Sequence, residues 1–284
     1  MSPILVCTDG QSHAKSALRH AAWAAERLGV GIEVLHVLDH HRERAAELDL
    51  TGAIGIDASA QVTEALTQLE ETQGRQQRVK GKAILDEARQ HLEGFGVTNA
   101  VYTQRHGSLV ETVEEIGSRY ELVVLGERGE SGNSLRGNIG SQVEQVIRST
   151  IRPVLLVERK FRPIERFLLA YDGGPSVTRA MDFLVGHSLL TGCACHLVAA
   201  GRIDDDARWF LGEAAARMAA AGYQVTHEAI SGRPEEVLPA EIERTDSQLV
   251  VMGAYGHSPI RRLLLGSTTT IMIRASRVPL LLFR

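Results

Sequence analysis

Cysteine is scarce in this chain. Three occur among 284 residues, Cys7, Cys193 and Cys195, and their spacing builds no disulfide framework. Such usage suits a reducing compartment. Cys193 and Cys195 form a C-x-C inside an apolar run that reads as a strand. Alternation then points both to one face, and packing thiols are expected in place of a metal or redox site. No apolar run is long enough to span a bilayer. The start, Met1-Ser2-Pro3-Ile4-Leu5-Val6-Cys7-Thr8-Asp9, lacks the basic region and long apolar core of a signal peptide. A cytoplasmic protein with no membrane partner is expected. Strong charge of one sign is missing as well. The formal net charge is -4, which speaks against general affinity for nucleic acid. The Gly-Lys-Ser/Thr ending of a P-loop is absent, and no paired carboxylates are set out for a metal.

What is present is an ordinary soluble composition, 44% apolar and 23% charged, with enough core for one large domain or two ordinary ones. Residues 4–8 read as a buried strand that delivers Asp9-Gly10 to a loop. Ser12 is a candidate cap for the following helix, whose apolar face is Ala17, Leu18, Ala21, Ala22, Ala25 and Leu28. A second strand is expected over 32–38, then a long loop over 39–60 containing Asp39-His40-His41. Residues 61–94 are helical in composition, with interruptions expected at Gly74 and Gly81. Further strands are expected over 100–103, 122–125 and 154–157.

The order then begins again. Residues 167–171 form a strand ending in Asp172-Gly173, and strands over 193–199, 223–228, 249–252 and 280–283 follow. The intervening helix over 204–221 is expected to turn Phe210, Leu211, Ala214 and Met218 inward, and Trp23 and Trp209 are read as packing. Matching landmarks are Asp9 and Asp172, His36 and His196, Gly107 and Gly232, Gly126 and Gly253, Gly140-Ser141 and Gly266-Ser267, Pro153 and Pro279. The domains expected are 1–157 and 166–284, joined by a charged connector over 158–165. Alternating strands and helices argue for a parallel sheet with helices on both faces in each half. In such sheets ligands sit beyond the carboxyl ends of the strands, where strand order reverses.

One stretch carries the clearest chemistry. Residues 248–252 form a buried strand, Gly253 and Gly256 make a turn, and Gly266-Ser267-Thr268-Thr269-Thr270 opens a helix. Backbone N–H groups at such turns and helix starts bind anions. With both halves laid out, the chain resembles the universal stress protein family in tandem, two-domain form. The family's ATP signature is Gly, two residues, Gly, nine residues, then Gly followed by Ser or Thr. Gly253, Gly256 and Gly266-Ser267 match it. Gly126 and Gly129 are followed one residue late by Gly140-Ser141, and Gln142 and Val143 replace two of the threonines. The second half is therefore ranked as the better nucleotide site.

The resemblance implies an α/β fold of the adenine nucleotide hydrolase-like kind: two doubly wound domains, each a five-stranded, mainly parallel sheet. It implies ATP, alone or with Mg2+. Asp172 would sit near the ribose, and Val198 would present backbone to the adenine edge. Met252 and Gly253 would line the ribose and phosphate side. Gly256 would allow close approach, and Gly266, Ser267, Thr268 and Thr269 would bind phosphate. The first-half counterparts are Asp9, Val37, Gly126, Gly129, Gly140 and Ser141. The resemblance also implies pairing of residues 154–157 with 280–283, with further homodimerisation open.

The reading is an ATP-binding stress-response or signalling protein with slow hydrolysis or none. The alternatives are an ATPase or other ATP-using enzyme, and a nucleotide-free protein that takes a lipid or small apolar ligand in the first half. Arg261 and Arg262 could neutralise phosphate or simply be solvated, and His257 has no catalytic company. Asp39-His40-His41 lacks ligand spacing and reads as a polar loop. Asp172-Gly173-Gly174-Pro175-Ser176 lacks the leading Ser and later Asp of a ligase pyrophosphatase loop.

Overall fold

The computed structural model describes residues 2–38, 59–126, 141–254 and 267–284. The strands are β1 (Ile4–Cys7), β2 (Ile32–Leu38), β3 (Val101–His106), β4 (Leu122–Gly126), β5 (Val154–Val157), β6 (Arg166–Ala170), β7 (Ala194–Gly201), β8 (Gln224–Ser231), β9 (Leu249–Gly253) and β10 (Leu280–Phe283). The helices are α1 (Ala14–Leu28), α2 (Ser59–Gly94), α3 (Leu109–Ile116), α4 (Ser141–Ser149), α5 (Pro175–Gly186), α6 (Asp205–Ala220), α7 (Pro234–Thr245) and α8 (Ser267–Ala275).

The strands form one sheet in the order β3-β2-β1-β4-β5-β10-β9-β6-β7-β8. Every neighbouring pair is parallel except β5 with β10, where Leu156 faces Leu280 and Val154 faces Leu282 antiparallel. Each half is therefore a five-stranded parallel sheet, and the seam reverses the strand direction. Both faces are covered, which is why the central strands read as unbroken apolar runs. Alternation divides them: Ile4 and Val6 join the core under α1, α2, α5 and α6, while Leu5 and Cys7 join the core under α3, α4, α7 and α8. The three thiols are buried, and burial pushes Cys7 and Cys195 up to about 12. Cys195 on β7 and Cys193, one residue before it, face the same core, as alternation predicts.

Side chains bridge the halves beyond the seam. Arg27 Nε donates to the Leu189 carbonyl at 3.0 Å. His187 on one half contacts Glu121 on the other at 2.9 Å, and its ring stacks on Phe183 with centroids 4.2 Å apart. The connector is anchored by Phe161, whose ring meets buried His20 edge-on at 4.8 Å.

Several expectations are corrected. α2 runs unbroken through Gly74 and Gly81. A single glycine costs a helix only about 1 kcal/mol, and Gly81 is where α2 meets β2 and β3: a Cβ there would come 2.7 Å from Gln104 Nε2 and 2.9 Å from the His36 ring. His13, not Ser12, occupies the N-cap of α1 and makes no side-chain cap bond. On α6 the buried positions are Leu211, Ala214, Ala215 and Met218. Phe210 and Trp209 lie off that stripe and are 52% and 61% exposed. The His40–His41 segment lies outside the described residues.

Candidate site at the carboxyl edges of the sheet

Each half reverses strand order once, between β1 and β4 and between β6 and β9. Those are the crevices where such sheets bind ligands. In the second half Asp172 lies two residues past β6, and Gly253 ends β9. In the first half Asp9 and Gly126 hold the same places after β1 and β4. Both aspartates fold their loops identically. Asp9 Oδ1 accepts from Gln11 N–H at 2.9 Å, and Asp172 Oδ1 accepts from Gly174 N–H at 2.8 Å. The intervening glycines, Gly10 and Gly173, take φ of 73° and 71°, a left-handed conformation that glycine adopts without strain.

Gly126 and Gly253 have a packing role of their own. A Cβ on Gly126 would come 2.7 Å from His13 Cβ, and one on Gly253 would come 2.9 Å from Ser176 Cβ. The glycines let the first turns of α1 and α5 close onto the neighbouring strand. Both glycines end their strands, where this close approach is made.

The strand-two positions are corrected by the sheet register. Cys7 pairs with Leu35, and Ala170 pairs with Val198. Cys7 and Ala170 each precede the loop aspartate by two residues, so Leu35 and Val198 are the true counterparts. Val37 corresponds to Ala200. Val198 is fully buried, and its carbonyl accepts from Tyr171 N–H at 2.8 Å. By the same register His196 corresponds to Glu33, and His36 to Ala199. The two histidines stand on opposite faces and share no structural place.

Thr269 has a structural contact of its own. It is buried, and its hydroxyl lies 3.3 Å from both the Gly253 and Ala254 carbonyls, donating toward them. It ties α8 to the end of β9. Thr268 and Thr270 are partly exposed on the same first turns of α8, and Ser267 begins that helix as Ser141 begins α4. Met252 is buried in the core under α7 and α8. Gly129, Gly140, Gly256, His257, Arg261, Arg262 and Gly266 lie outside the described residues.

A polar cluster that sequence reasoning missed sits beneath α7. His196 Nε2 contacts Glu241 Oε2 at 2.9 Å, and its Nδ1 contacts Thr226 Oγ1 at 2.8 Å. Glu228 completes a group whose ligand atoms lie within 4.8 Å of one another. The Arg244 guanidinium reaches both carboxylates, at 2.7 Å from Glu228 and 2.6 Å from Glu241. Arg244 hydrogen bonds hold the Glu241 carboxyl below its usual range against the opposing effect of burial. The cluster carries its own cation. Its signal in the sequence was the run of polar residues on alternate positions of β8, facing a helix with Glu241 and Arg244 three apart.

The family model for universal stress proteins matches residues 1–158 and again 163–284. The universal stress protein Slr1230 of Synechocystis sp. is 34% identical over 287 residues, covering all of both chains. Among solved structures, a universal stress protein from Archaeoglobus fulgidus superposes with a TM-score of 0.71 at 22% identity, over 100% of this chain and 96% of that one. A putative universal stress protein from Pseudomonas aeruginosa gives 0.62 at 16% identity, over 99% and 93%. A twofold family match, a full-length relative and a sheet built from two like halves agree: the chain belongs to the universal stress protein family and carries the family's domain twice.

Proposed function

We propose that this chain binds ATP at the second-half crevice and acts in stress response or signalling through nucleotide-dependent binding, with slow hydrolysis or none. The observation that carries the reading is the convergence at the β6/β9 reversal of Asp172, held by its own turn, and Gly253, from which Thr269 braces the start of α8. The first turn of a helix is a natural seat for phosphate. The full signature Gly253, Gly256, Gly266-Ser267 supports the same seat. The absent P-loop lysine favours holding the nucleotide over rapid turnover.

The first half is the weaker candidate. Its signature is one residue too long, and Ile84 of α2 stands against Gly10: a Cβ on that glycine would meet Ile84 Cγ1 at 2.8 Å.

Calorimetry on full-length protein freed of ligand tests the reading, with and without Mg2+. ATP binding is expected, weakened about tenfold by Asp172→Ala and by Ser267→Ala, a loss of about 1.4 kcal/mol for each. No heat from the parent protein, or the same affinity in both variants, would remove it.

A further inference from the structure

One nitrogen in the polar cluster under α7 stands where three possible ligands meet. Arg244 Nη2 lies 2.7 Å from Glu228 Oε2, 2.6 Å from Glu241 Oε2 and 3.4 Å from His196 Nε2. The three residues around it come from three elements, β8, α7 and β7. They offer one imidazole nitrogen and two carboxylate oxygens within 4.8 Å of one another. That donor set suits a divalent transition ion of the zinc kind. The guanidinium holds a positive charge at the point where such an ion would sit.

Two further observations point to an ion there. His196 Nδ1 lies 2.8 Å from Thr226 Oγ1. A hydroxyl can accept as well as donate, so Thr226 can take the Nδ1 proton and leave the Nε2 lone pair facing the carboxylates. Metal-binding histidines are oriented in this way, through the nitrogen that does not bind. The second observation is the division of exposure. The His196 and Glu241 side chains are 5% and 9% exposed, a fixed inner pair. Those of Arg244 and Glu228 are 54% and 51% exposed, so the arginine can swing out. Ligands around a tetrahedral zinc stand about 3.4 Å apart, and half-exposed Glu228 has the freedom to close in. Among the described residues the first half holds no such set. Its Glu33, at the place of His196, is taken by the Tyr120 and Thr103 hydroxyls, each at 2.7 Å.

We propose that His196, Glu228 and Glu241 form a zinc-class divalent metal site in the second half, with Arg244 as the resident cation that the ion displaces. Charge favours the exchange: one guanidinium neutralises half of two carboxylates, and a divalent ion neutralises both. Water completes the coordination, as it does where a protein supplies three ligands. His196 is the third of the eight residues of β7, short of the carboxyl end where the crevice opens. The inference is therefore independent of the nucleotide reading. A bound ion ties the edge strand β8 to β7 and to α7.

The experiment takes full-length protein, stripped of metal with a chelator and then freed of it. Zn2+ is titrated by calorimetry, and Co2+ by its visible absorption. The parent is expected to bind both ions. His196→Gln and Glu228→Gln are expected to weaken zinc at least tenfold. Arg244→Ala is expected to tighten it about tenfold, because the competing charge is gone. The same variant is expected to have a lowered urea midpoint without metal and to recover it with zinc. The double variant His40→Ala/His41→Ala is expected to keep the parent's affinity. If the parent takes up no zinc, the cluster is an ion-pair network alone and the proposal is overturned. It is equally overturned if His196→Gln and Glu228→Gln keep the parent's affinity, or if Arg244→Ala binds no more tightly. Should His196→Gln fail to fold, Glu228→Gln, at a half-exposed position, decides the question.

Discussion

Gly253 illustrates how one residue can answer to packing and to a ligand together. Its missing Cβ is required where Ser176 Cβ would lie 2.9 Å away, inside any normal contact distance. Gly31 has open space around the same position and serves as a control. Gly253→Ala is expected to destabilise the protein by about 1–3 kcal/mol, the usual range for overpacking, and Gly31→Ala to do markedly less. Urea midpoints without nucleotide separate the two. Equal midpoints would mean that Gly253 matters for ligand alone. Thr269 gives the complementary lesson. Three successive threonines suggest three phosphate donors, but residues at about 100° steps face different ways. The middle one turns toward the end of β9, an orientation that the run of three identical residues does not reveal.

At the level of elements, strands and their order were legible because parallel strands buried on both faces are short apolar runs, and because the run-and-aspartate pattern recurs at Asp9 and Asp172. The strand-two match was not. A histidine stands in both strands, and only the register shows that it falls at position 36 in one and three places earlier, in equivalent terms, in the other. α2 was split at Gly81 because local propensity was weighed without the close contact to Gln104 and His36. Phe210 was placed inward on hydrophobicity, although the 3.6-residue stripe through Leu211, Ala214 and Met218 leaves it out.

Helix α1 carries a further consequence in His20. Its Nδ1–H donates to the Ser16 carbonyl at 2.9 Å, and burial lowers its pKa from 6.5 to about 4. Between those values the unfolded chain holds a proton that the folded chain refuses. Stability therefore rises with pH across that window and is lost on acidification. Summed over the window this is on the order of 3 kcal/mol. His20→Phe is expected to flatten the slope of unfolding free energy against pH, by about 1.4 kcal/mol per unit within the window. Urea titrations between pH 4.5 and 7 measure it, and an unchanged slope would show that His20 stays accessible to protons.

For the whole molecule the decisive element is the β5/β10 seam. Leu155 and Leu281 pair across it and are fully buried in one continuous core that spans both halves. Arg27, His187 and Phe161 add bridges away from it. The two halves are expected to unfold in one cooperative transition, with calorimetric and van't Hoff enthalpies equal. Two resolved transitions would show that each half stands alone. Leu281→Asp, which buries an unpaired charge in the seam, is expected to cost about 3 kcal/mol or more.

The reversal at that seam also fixes where the two crevices look. The β1/β4 and β6/β9 switch points are four strand spacings apart, about 19 Å, and open from opposite rims of the same sheet. No single flat surface can cover both. A partner that recognises one rim leaves the other free, so the chain has the geometry of a two-ended adaptor. The two crevices are joined through the sheet by the four strands β4, β5, β10 and β9.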